Sequence, residues 1–297
     1  MVAPIAIRAA VVSLSVAVVL LATKSVAAAM TGSAAILSDA LESIVNVVAA
    51  LFGVVALRVA ATPPDESHPY GHGKVEFFAA GFEGGMIGIA ALLILGESIR
   101  RMVMGSEVRL LGLGMALSAG AGVVNLLLGL ALVRIGRRVE SPTLVADGRH
   151  VLTDVVTTVS ALLGLALVEL TGVVLFDPIA AILAALWILR SGWHLVRESI
   201  AGLMDEADPA DLARLVATME SLREPHLRGY ADLRARHQGR EHLIDVTIYV
   251  SEDLSVMDGH AVATRVERAL EDCFSVATAT CHVEPEGAQA AGTASPA

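Results

Sequence analysis

The chain has 297 residues, of which 55% are hydrophobic and only 18% are charged, a composition too apolar for an ordinary soluble domain. Residues 1–204 carry 13 Lys and Arg against 14 Asp and Glu, whereas residues 205–297 carry 8 against 17. This division predicts a membrane domain followed by an acidic soluble domain. The acidic balance excludes nucleic acid from our expected partners.

Six apolar stretches are long enough to cross about 30 Å of hydrocarbon as helices. They lie near residues 8–30, 34–60, 76–104, 110–135, 144–170 and 177–199. The first stretch is also compatible with a signal peptide, but its length and the spans that follow favour a transmembrane helix. We therefore predict a bundle of six transmembrane helices in residues 1–204, with the lipid bilayer as its surroundings.

The distribution of basic residues indicates the orientation in the membrane. An even number of spans places both termini on one side, and seven Lys and Arg residues flank the loops of that side against three on the other. Basic residues are enriched in cytoplasmic loops. We expect both termini in the cytoplasm and a bacterial inner (cytoplasmic) membrane as the location.

After residue 204 the pattern becomes that of a soluble α+β domain, which we place at residues 205–286. Asp208-Pro209 is a typical helix start. The predicted order is α-β-β-α-β, with helices on one face of a sheet. The elements are a helix at 209–223, strands at about 227–236 and 241–251, a helix at 256–273 and a strand at 276–284. We expect residues 287–297 to be disordered because Gly, Ala, Ser, Thr, Gln and Pro dominate them.

Two polar pairs inside the apolar helices carry the functional hypothesis. Glu42 and Asn46 lie four residues apart in the second span, and His150 and Asp154 in the fifth. An i, i+4 interval places both members on one helix face. At 1.5 Å per residue, the antiparallel spans bring Glu42 to about the depth of Asp154, and Asn46 to about the depth of His150.

These four side chains offer two carboxylates, an imidazole and an amide. Ionisable residues inside a membrane are costly and usually mark an ion path. Imidazole nitrogen and carboxylate oxygen are ordinary zinc ligands, and two carboxylates offset the double charge of the ion. The alternative is polar contact between helices, which Asn and His also provide. We favour a divalent metal site near mid-membrane.

Two further groups of donors lie outside the membrane. Asp65, His68 and His72 form a candidate exposed site in the loop between spans two and three, where the alternative is a solvated loop. In the soluble domain the candidates are His260, His282 and Glu284, and less firmly His237 and His242. Scattered surface histidines are the alternative to a regulatory metal site there.

Three other features of the membrane domain invite predictions. Lys74 and Asp205 stand at the cytoplasmic ends of spans three and six, where an ion pair would join them. Glu83 lies about 10 Å inside span three as a proton-accepting or packing residue. Small residues recur through this span and predict close helix packing. They are Gly81, Gly84, Gly85 and Gly88.

Four segments resemble signatures of the cation diffusion facilitator family of metal/proton antiporters, and the resemblance covers residues from about 8 to 286. The segments are Ser33–Asn46, His68–Glu76, Ala146–Asp154 and His282–Pro285. The resemblance implies a homodimer with a metallochaperone-like (ferredoxin-like) cytosolic domain. It also implies efflux of Zn²⁺ or a similar ion against inward proton flow.

The resemblance assigns roles residue by residue. The transport site falls on Glu42, Asn46, His150 and Asp154, and the loop site on Asp65, His68 and His72. The interlocking ion pair falls on Lys74 and Asp205. Ligands of the cytosolic domain fall on His260, His282 and Glu284.

The chain departs from the family pattern in two places. Two cytosolic positions that are His in well-known members are Ala231 and Thr247 here, which favours a reduced site or one rebuilt with His237 or His242. In the second span Asn46 replaces a carboxylate, which removes one charge from the site. This change moves the preference toward Fe²⁺, Co²⁺, Ni²⁺ or Mn²⁺, although His150 keeps zinc first.

We therefore predict a metal efflux transporter that exchanges divalent ions for protons by alternating access. The metal is substrate and regulator, and we expect no organic cofactor and no enzymatic activity. The first alternative is a membrane metal sensor that binds without transporting. An intramembrane metalloprotease is disfavoured because the sequence contains no His-Glu-x-x-His motif.

Overall fold

The structure, a computed structural model, describes the backbone of residues 2–31, 34–104 and 112–287. Side chains are described in these ranges except at 2, 3, 27, 28, 30, 31, 34–42, 112–115, 117, 118 and 165. The chain divides into two compact units, Met1–Leu203 and Met204–Ala297. The predicted tail lies outside the described residues, apart from Gly287.

The first unit consists of long apolar helices, and the predicted six-helix bundle is confirmed within the described ranges. The helices are α1 (Val2–Thr31), α2 (Ala34–Ala60), α3 (Val75–Met104), α4 (Gly112–Arg138), α5 (Pro142–Thr171) and α6 (Phe176–Leu203). Each contains a segment long and apolar enough to cross a membrane. Large apolar side chains such as Leu93, Leu127 and Leu183 are exposed on their outer faces, as expected where lipid replaces water.

Helix α5 has clear start and stop signals. Ser141 precedes it in extended conformation, its hydroxyl accepts a hydrogen bond from the backbone N–H of Leu144 at 3.4 Å, and Pro142 occupies the first turn. Gly172 ends the helix with φ 74° and donates its N–H to the Val168 carbonyl at 2.8 Å. The helix that carries two of the proposed ligands therefore begins and ends at residues set by local sequence.

Close packing of α5 on α4 depends on glycine. A Cβ atom added at Gly148 would lie 2.7 Å from the backbone nitrogen of Val133. In the third span the packing prediction holds for Gly84, where an added Cβ would lie 3.0 Å from the backbone nitrogen of Val196 in α6. At Gly85 and Gly88 an added Cβ meets nothing within 4 Å, so close packing does not require glycine there, although the backbone nitrogen of Gly88 lies 3.0 Å from the position of a Cβ added at Gly192 in α6.

The second unit is the predicted α-β-β-α-β domain. Its elements are α7 (Pro209–Ser221), β1 (Leu227–Gln238), β2 (Glu241–Val250), α8 (Val256–Glu271) and β3 (Ala277–Pro285). The sheet order is β1-β2-β3, with β1 antiparallel and β3 parallel to β2. Leu215 and Val266 from the helices and Ile244 and Ile248 from the sheet form its core.

The two faces of this sheet differ. Along β2, His242, Ile244, Val246 and Ile248 are buried, whereas the intervening residues are only partly buried. Alternate residues of a strand point to opposite faces, so His242 belongs to the face that packs on the helices and Thr247 to the other. This alternation decides which histidines of the domain can share an ion.

Candidate metal centre

The centre of the first unit is a contact between α2 and α5. The amide nitrogen Nδ2 of Asn46 donates to the carboxylate Oδ2 of Asp154 at 2.6 Å. The amide oxygen Oδ1 of Asn46 lies 3.0 Å from Nε2 of His150. Asn46 therefore bridges imidazole and carboxylate, because an amide both donates and accepts hydrogen bonds.

The contact of Asn46 with His150 agrees with the depth that sequence spacing predicts for these two residues. Asn46 also contacts Asp154, which the spacing places opposite Glu42. The two residues of α5 lie one turn apart, and the two ends of one amide group span that interval. The structure describes the backbone of Glu42 as part of α2 but does not describe its side chain.

A small cavity of about 20 Å³ adjoins these three side chains, enough for about one water molecule. Polar residues from four helices line it, so the predicted ligands face a common space. The polar lining residues are Ser13, Lys24, Ser43, Asn46, Asn125, Asp147, His150 and Asp154.

Sequence reasoning missed Lys24 and Asn125 as parts of this cavity. Asp147, which precedes His150 by three residues, is only 5% exposed and faces the same cavity. The signal was present in each case, because a charged or amide side chain inside an apolar span rarely lacks a role.

Glu83 is fully buried, with 0% of its surface exposed. Neither of its carboxylate oxygens has a hydrogen-bond partner in the described part of the chain. Nearby, the buried Glu76 accepts a hydrogen bond from the Ser141 hydroxyl at the start of α5. Glu83 therefore lies buried in α3, and its predicted depth in the membrane and both its proposed roles, proton acceptor and packing residue, stay predictions.

The loop between α2 and α3 brings Asp65, His68 and His72 together, with one donor atom of each within 4.8 Å of the others. Oδ1 of Asp65 lies 3.2 Å from Nδ1 of His68, and its Oδ2 lies 3.4 Å from Nε2 of His72. The backbone N–H of His68 donates to Asp65 at 2.7 Å and holds the pKa of this carboxyl below its ordinary value. The carboxylate is thus kept ionised, as ligation of a cation requires.

In the second unit the predicted cytosolic ligands come together only in part. His282 Nε2 lies 3.2 Å from Oε1 of Glu284. His260 does not join them, since the three residues are not among the described groups whose donor atoms all lie within 4.8 Å. The reason is the strand alternation: α8 packs on the face that carries Ala279 and Cys281, so His282 and Glu284 point to the other face.

The strand register explains why this site has few donors. Ala231 pairs with Thr247, and Thr247 pairs with His282. The two replaced positions therefore lie beside His282 on one rung of the sheet. Cys281 offers no substitute, because it lies on the helix-facing side of the sheet, opposite His282.

His237 and His242, the less firm of the predicted cytosolic ligands, come together with each other but not with His282, and their role as metal ligands stays a prediction. Both rings point instead to Asp211 on α7, at 3.0 Å and 3.3 Å from its Oδ2. His242 lies on the helix-facing side of the sheet, whereas His282 lies on the other side. Asp211 was not among the predicted ligands.

The two ends of the predicted interlocking ion pair have other contacts within their own units. Lys74 donates to the carbonyl oxygen of Leu203 at 3.3 Å. Asp205, with φ 59°, lies 3.8 Å from Arg236. Because Lys74 and Asp205 belong to different units, their pairing stays a prediction.

Comparison with known proteins agrees with this architecture. Residues 10–204 match the cation efflux transmembrane domain, and residues 207–286 match the cytoplasmic domain of cation efflux proteins. An uncharacterized transporter of Synechocystis sp. (strain ATCC 27184 / PCC 6803 / Kazusa) is 35% identical over 84% of this chain and 80% of its own length. The cation-efflux pump FieF of Cronobacter sakazakii is 30% identical over 84% and 82%, respectively.

A third relative is named for its metal. The manganese efflux system protein MneS of Bacillus subtilis (strain 168) is 26% identical over 84% of this chain and 84% of its own. The family matches cover both units, and the polar contact between α2 and α5 lies inside the first of them. The chain belongs to the cation diffusion facilitator family and is a divalent cation efflux transporter.

Proposed function

We propose that the protein exports a divalent transition-metal ion, zinc first, in exchange for protons. The single observation that carries this proposal is the contact of Asn46 with His150 and Asp154 beside a cavity in the bundle. These side chains supply imidazole nitrogen and carboxylate and amide oxygen, a donor set that suits zinc and its neighbours in the transition series. Glu42, one turn before Asn46, is the proposed fourth ligand.

Proton exchange follows from the chemistry of the same donors. An ion that binds His150 needs the lone pair of an imidazole nitrogen, and one that binds Asp154 needs an ionised carboxylate. Metal entry from the cytoplasm therefore expels protons from the site. Protons that return when the site faces outward compete the ion off, so one set of side chains carries both substrates in an alternating-access cycle.

The identity of the metal depends on Asn46. A neutral amide at position 46 attracts a divalent ion less strongly than a carboxylate does. Compared with a site that has a carboxylate there, this site is therefore expected to prefer zinc less strongly over Fe²⁺, Co²⁺, Ni²⁺ or Mn²⁺. The Bacillus relative is named for manganese. The imidazole of His150 favours zinc, and we keep zinc as the first substrate.

The wider arrangement is proposed on family grounds. The match of residues 207–286 to the cytoplasmic domain of the family supports a homodimer. Both termini lie in the cytoplasm, and the protein resides in a bacterial inner membrane. The loop cluster of Asp65, His68 and His72 binds metal before or beside transport, metal also acts as a regulator, and the protein needs no organic cofactor and catalyses no chemical conversion.

The proposal is tested by metal flux in proteoliposomes under an imposed pH gradient. Zn²⁺, Fe²⁺, Co²⁺, Ni²⁺ and Mn²⁺ are compared for the wild type, Asp154→Ala and Glu169→Ala. Glu169 is the matched control, an exposed carboxylate on the same helix. We expect gradient-driven flux that Asp154→Ala abolishes and Glu169→Ala preserves.

Two results contradict the proposal in different ways. Metal flux that does not depend on the pH gradient would contradict the proposed exchange of metal for protons. Metal binding without flux for every ion removes transport by this chain and leaves the membrane metal sensor as the function.

A further inference from the structure

The strongest unassigned feature of the molecule is the three-residue cluster of Asp211, His237 and His242 in the second unit. One donor atom of each lies within 4.8 Å of the others. Oδ2 of Asp211 is 3.0 Å from Nε2 of His237 and 3.3 Å from Nε2 of His242. The same two nitrogens and one oxygen are thus turned toward one point.

These separations fit the edges of a tetrahedral metal site. Nitrogen and oxygen ligands lie about 2.0–2.1 Å from zinc, which places two ligands of a tetrahedron about 3.3–3.4 Å apart. The two oxygen–nitrogen separations lie within a few tenths of an ångström of this value, and the two nitrogens lie within 4.8 Å of each other. Two N–H donors could also share this carboxylate oxygen, since it has two lone pairs, so the proposal rests on the convergence of three donors and needs a direct metal-binding test.

Both rings are held in place by the fold. His237 and His242 are cross-strand partners on the β1–β2 hairpin, and their ring centroids lie 4.4 Å apart. The turn between them contains Gly239 at φ 65°, a conformation that glycine adopts without strain. His242 is 4% exposed and stacks on Phe274 with a centroid separation of 3.9 Å. Binding therefore requires little ordering of these two ligands.

Helix α7 supplies the third donor under favourable electrostatics. Asp211 lies in the first turn of α7, where the helix dipole stabilises a carboxylate. Residues 205–297 carry 17 acidic against 8 basic residues, so the unit attracts cations. An ion at this point ties the first turn of α7 to the β1–β2 hairpin.

The cluster is separate from the cytosolic site that the family resemblance assigns. His282 pairs with Thr247, which lies five residues along β2 from His242. At about 3.3 Å per residue the two positions are about 17 Å apart, and they lie on opposite faces of the sheet. No single ion is shared by both.

We propose that Asp211, His237 and His242 bind a divalent transition-metal ion, zinc or a similar ion. This site is distinct from the proposed transport site, from the loop cluster and from the pair of His282 and Glu284 on β3. Three protein donors leave a fourth position for water, which is typical of an ion that exchanges. The bound ion acts as a clamp between α7 and the hairpin. Occupancy then reports the metal level around this domain through the order of α7.

The test uses the full-length protein in detergent, with the other candidate sites removed by Asp154→Asn, His68→Ala and His282→Ala. Co²⁺ alone is the probe, measured by equilibrium dialysis and by its visible absorption. We expect this background protein to bind one Co²⁺ per chain with the intense absorption of four-coordinate cobalt. Adding Asp211→Asn or His237→Ala is expected to weaken binding at least about 10-fold.

Controls separate ligation from folding. His226→Ala removes an exposed histidine of the same unit and is expected to leave cobalt binding unchanged. His237 is 27% exposed, so His237→Gln keeps its volume and tests the loss of the nitrogen donor alone. Amide hydrogen exchange in α7 and the hairpin is expected to slow when Co²⁺ is added to the background protein, and to stay unchanged in His237→Gln.

Three results overturn the proposal. One is a background protein that binds no Co²⁺ at concentrations that fill zinc sites of similar donors. Another is a loss of binding in His226→Ala as large as that in His237→Ala. The third is retention of full affinity in both Asp211→Asn and His237→Gln.

Discussion

Two groups of donors can be compared: the membrane centre, formed by Asn46, His150 and Asp154, and the soluble cluster, formed by Asp211, His237 and His242. Their side chains are of similar kinds, but the residue that stands between the other two differs. In the bundle a neutral amide, Asn46, stands between His150 and Asp154. In the soluble unit an anionic carboxylate, Asp211, stands between two imidazoles. An amide donates and accepts, whereas a carboxylate only accepts.

The two central residues also differ in charge. Asn46 pairs with one nitrogen of His150 and one oxygen of Asp154 without an additional positive charge, which matters where unpaired charge is expensive. Asp211 needs N–H donors or a cation on both sides. If both sites bind metal as proposed, we expect the soluble cluster, with its anionic central residue, to bind the ion more tightly than the membrane centre.

The largest expected effect separates the two sites by function. His150→Ala is expected to lower the initial rate of Zn²⁺ flux in proteoliposomes by about 100-fold or more, because His150 is a proposed metal ligand and even residues that only support a ligand change affinity or activity by about 10- to 100-fold. His237→Ala is expected to leave the rate within about twofold, because that residue lies outside the transport path. Equal losses in the two variants would contradict the separation of transport from the soluble cluster.

The second prediction concerns the helix packing that positions the membrane centre. Gly148→Ala places a methyl group 2.7 Å from the backbone nitrogen of Val133 and is expected to push α4 from α5. Overpacking of this kind costs about 1–3 kcal/mol. We expect a lower melting temperature, followed by fluorescence of Trp187 and Trp193 in the solubilised protein, and slower flux.

Gly88→Ala is the matched control, because an added Cβ there meets nothing within 4 Å. Its melting temperature is expected to equal that of the wild type. A Gly148→Ala variant with unchanged stability would show that α4 and α5 tolerate a wider separation than this packing indicates.

The third prediction concerns a substitution that gives the membrane centre a carboxylate as its middle residue, as in the soluble cluster. Asn46→Asp puts a carboxylate in the middle position, removes the donor to Asp154 and adds a negative charge. We expect Zn²⁺ to bind about 10-fold more tightly and the preference for Zn²⁺ over Mn²⁺ to rise, because a charged oxygen ligand favours the more strongly bound ion. Competitive binding of the two ions measures the ratio.

Asn125→Asp tests whether any added charge in the cavity has this effect. Asn125 lines the same cavity from α4 without a contact to His150 or Asp154 among the hydrogen bonds described above. A change in selectivity in Asn125→Asp as large as that in Asn46→Asp would mean that charge in the cavity, rather than direct ligation, sets the preference.

The smallest expected effect concerns an ordinary ion pair of the soluble unit and how much it stabilises that unit. Arg265 donates to Glu224 through two hydrogen bonds of 2.6 Å and 2.9 Å, and this pairing lowers the pKa of Glu224 below its ordinary value of 4.5. Its stabilising effect is present above pH 4.5 and is lost as the pH falls through the lowered pKa of the folded state. Glu224→Gln is expected to speed amide exchange in the unit about two- to fivefold at pH 7.

The difference between Glu224→Gln and the wild type is expected to shrink as the pH falls below 4.5, since the wild-type carboxylate then becomes protonated. Exchange rates compared at matched pH measure it. A difference that stays constant through this range would assign the stabilisation to packing rather than to charge.

Much of the architecture followed from local sequence. Apolar runs of spanning length determined the six helices, because hydrocarbon requires each segment to satisfy its own backbone. The alternation in β2 and the Asp208-Pro209 start determined the soluble elements to within a few residues. The i, i+4 pairs identified Asn46, His150 and Asp154, since helical spacing places such residues on one face.

Tertiary structure decided what spacing along one element cannot specify. Lys24, Asn125 and Asp147 share the cavity only because several helices pack side by side. In the soluble unit, the hairpin register and strand alternation joined His237 and His242 to Asp211 and separated them from His282. Sequence determines which face of its own element a side chain occupies, but contacts between elements are long-range, so only the packed fold determines which donors meet.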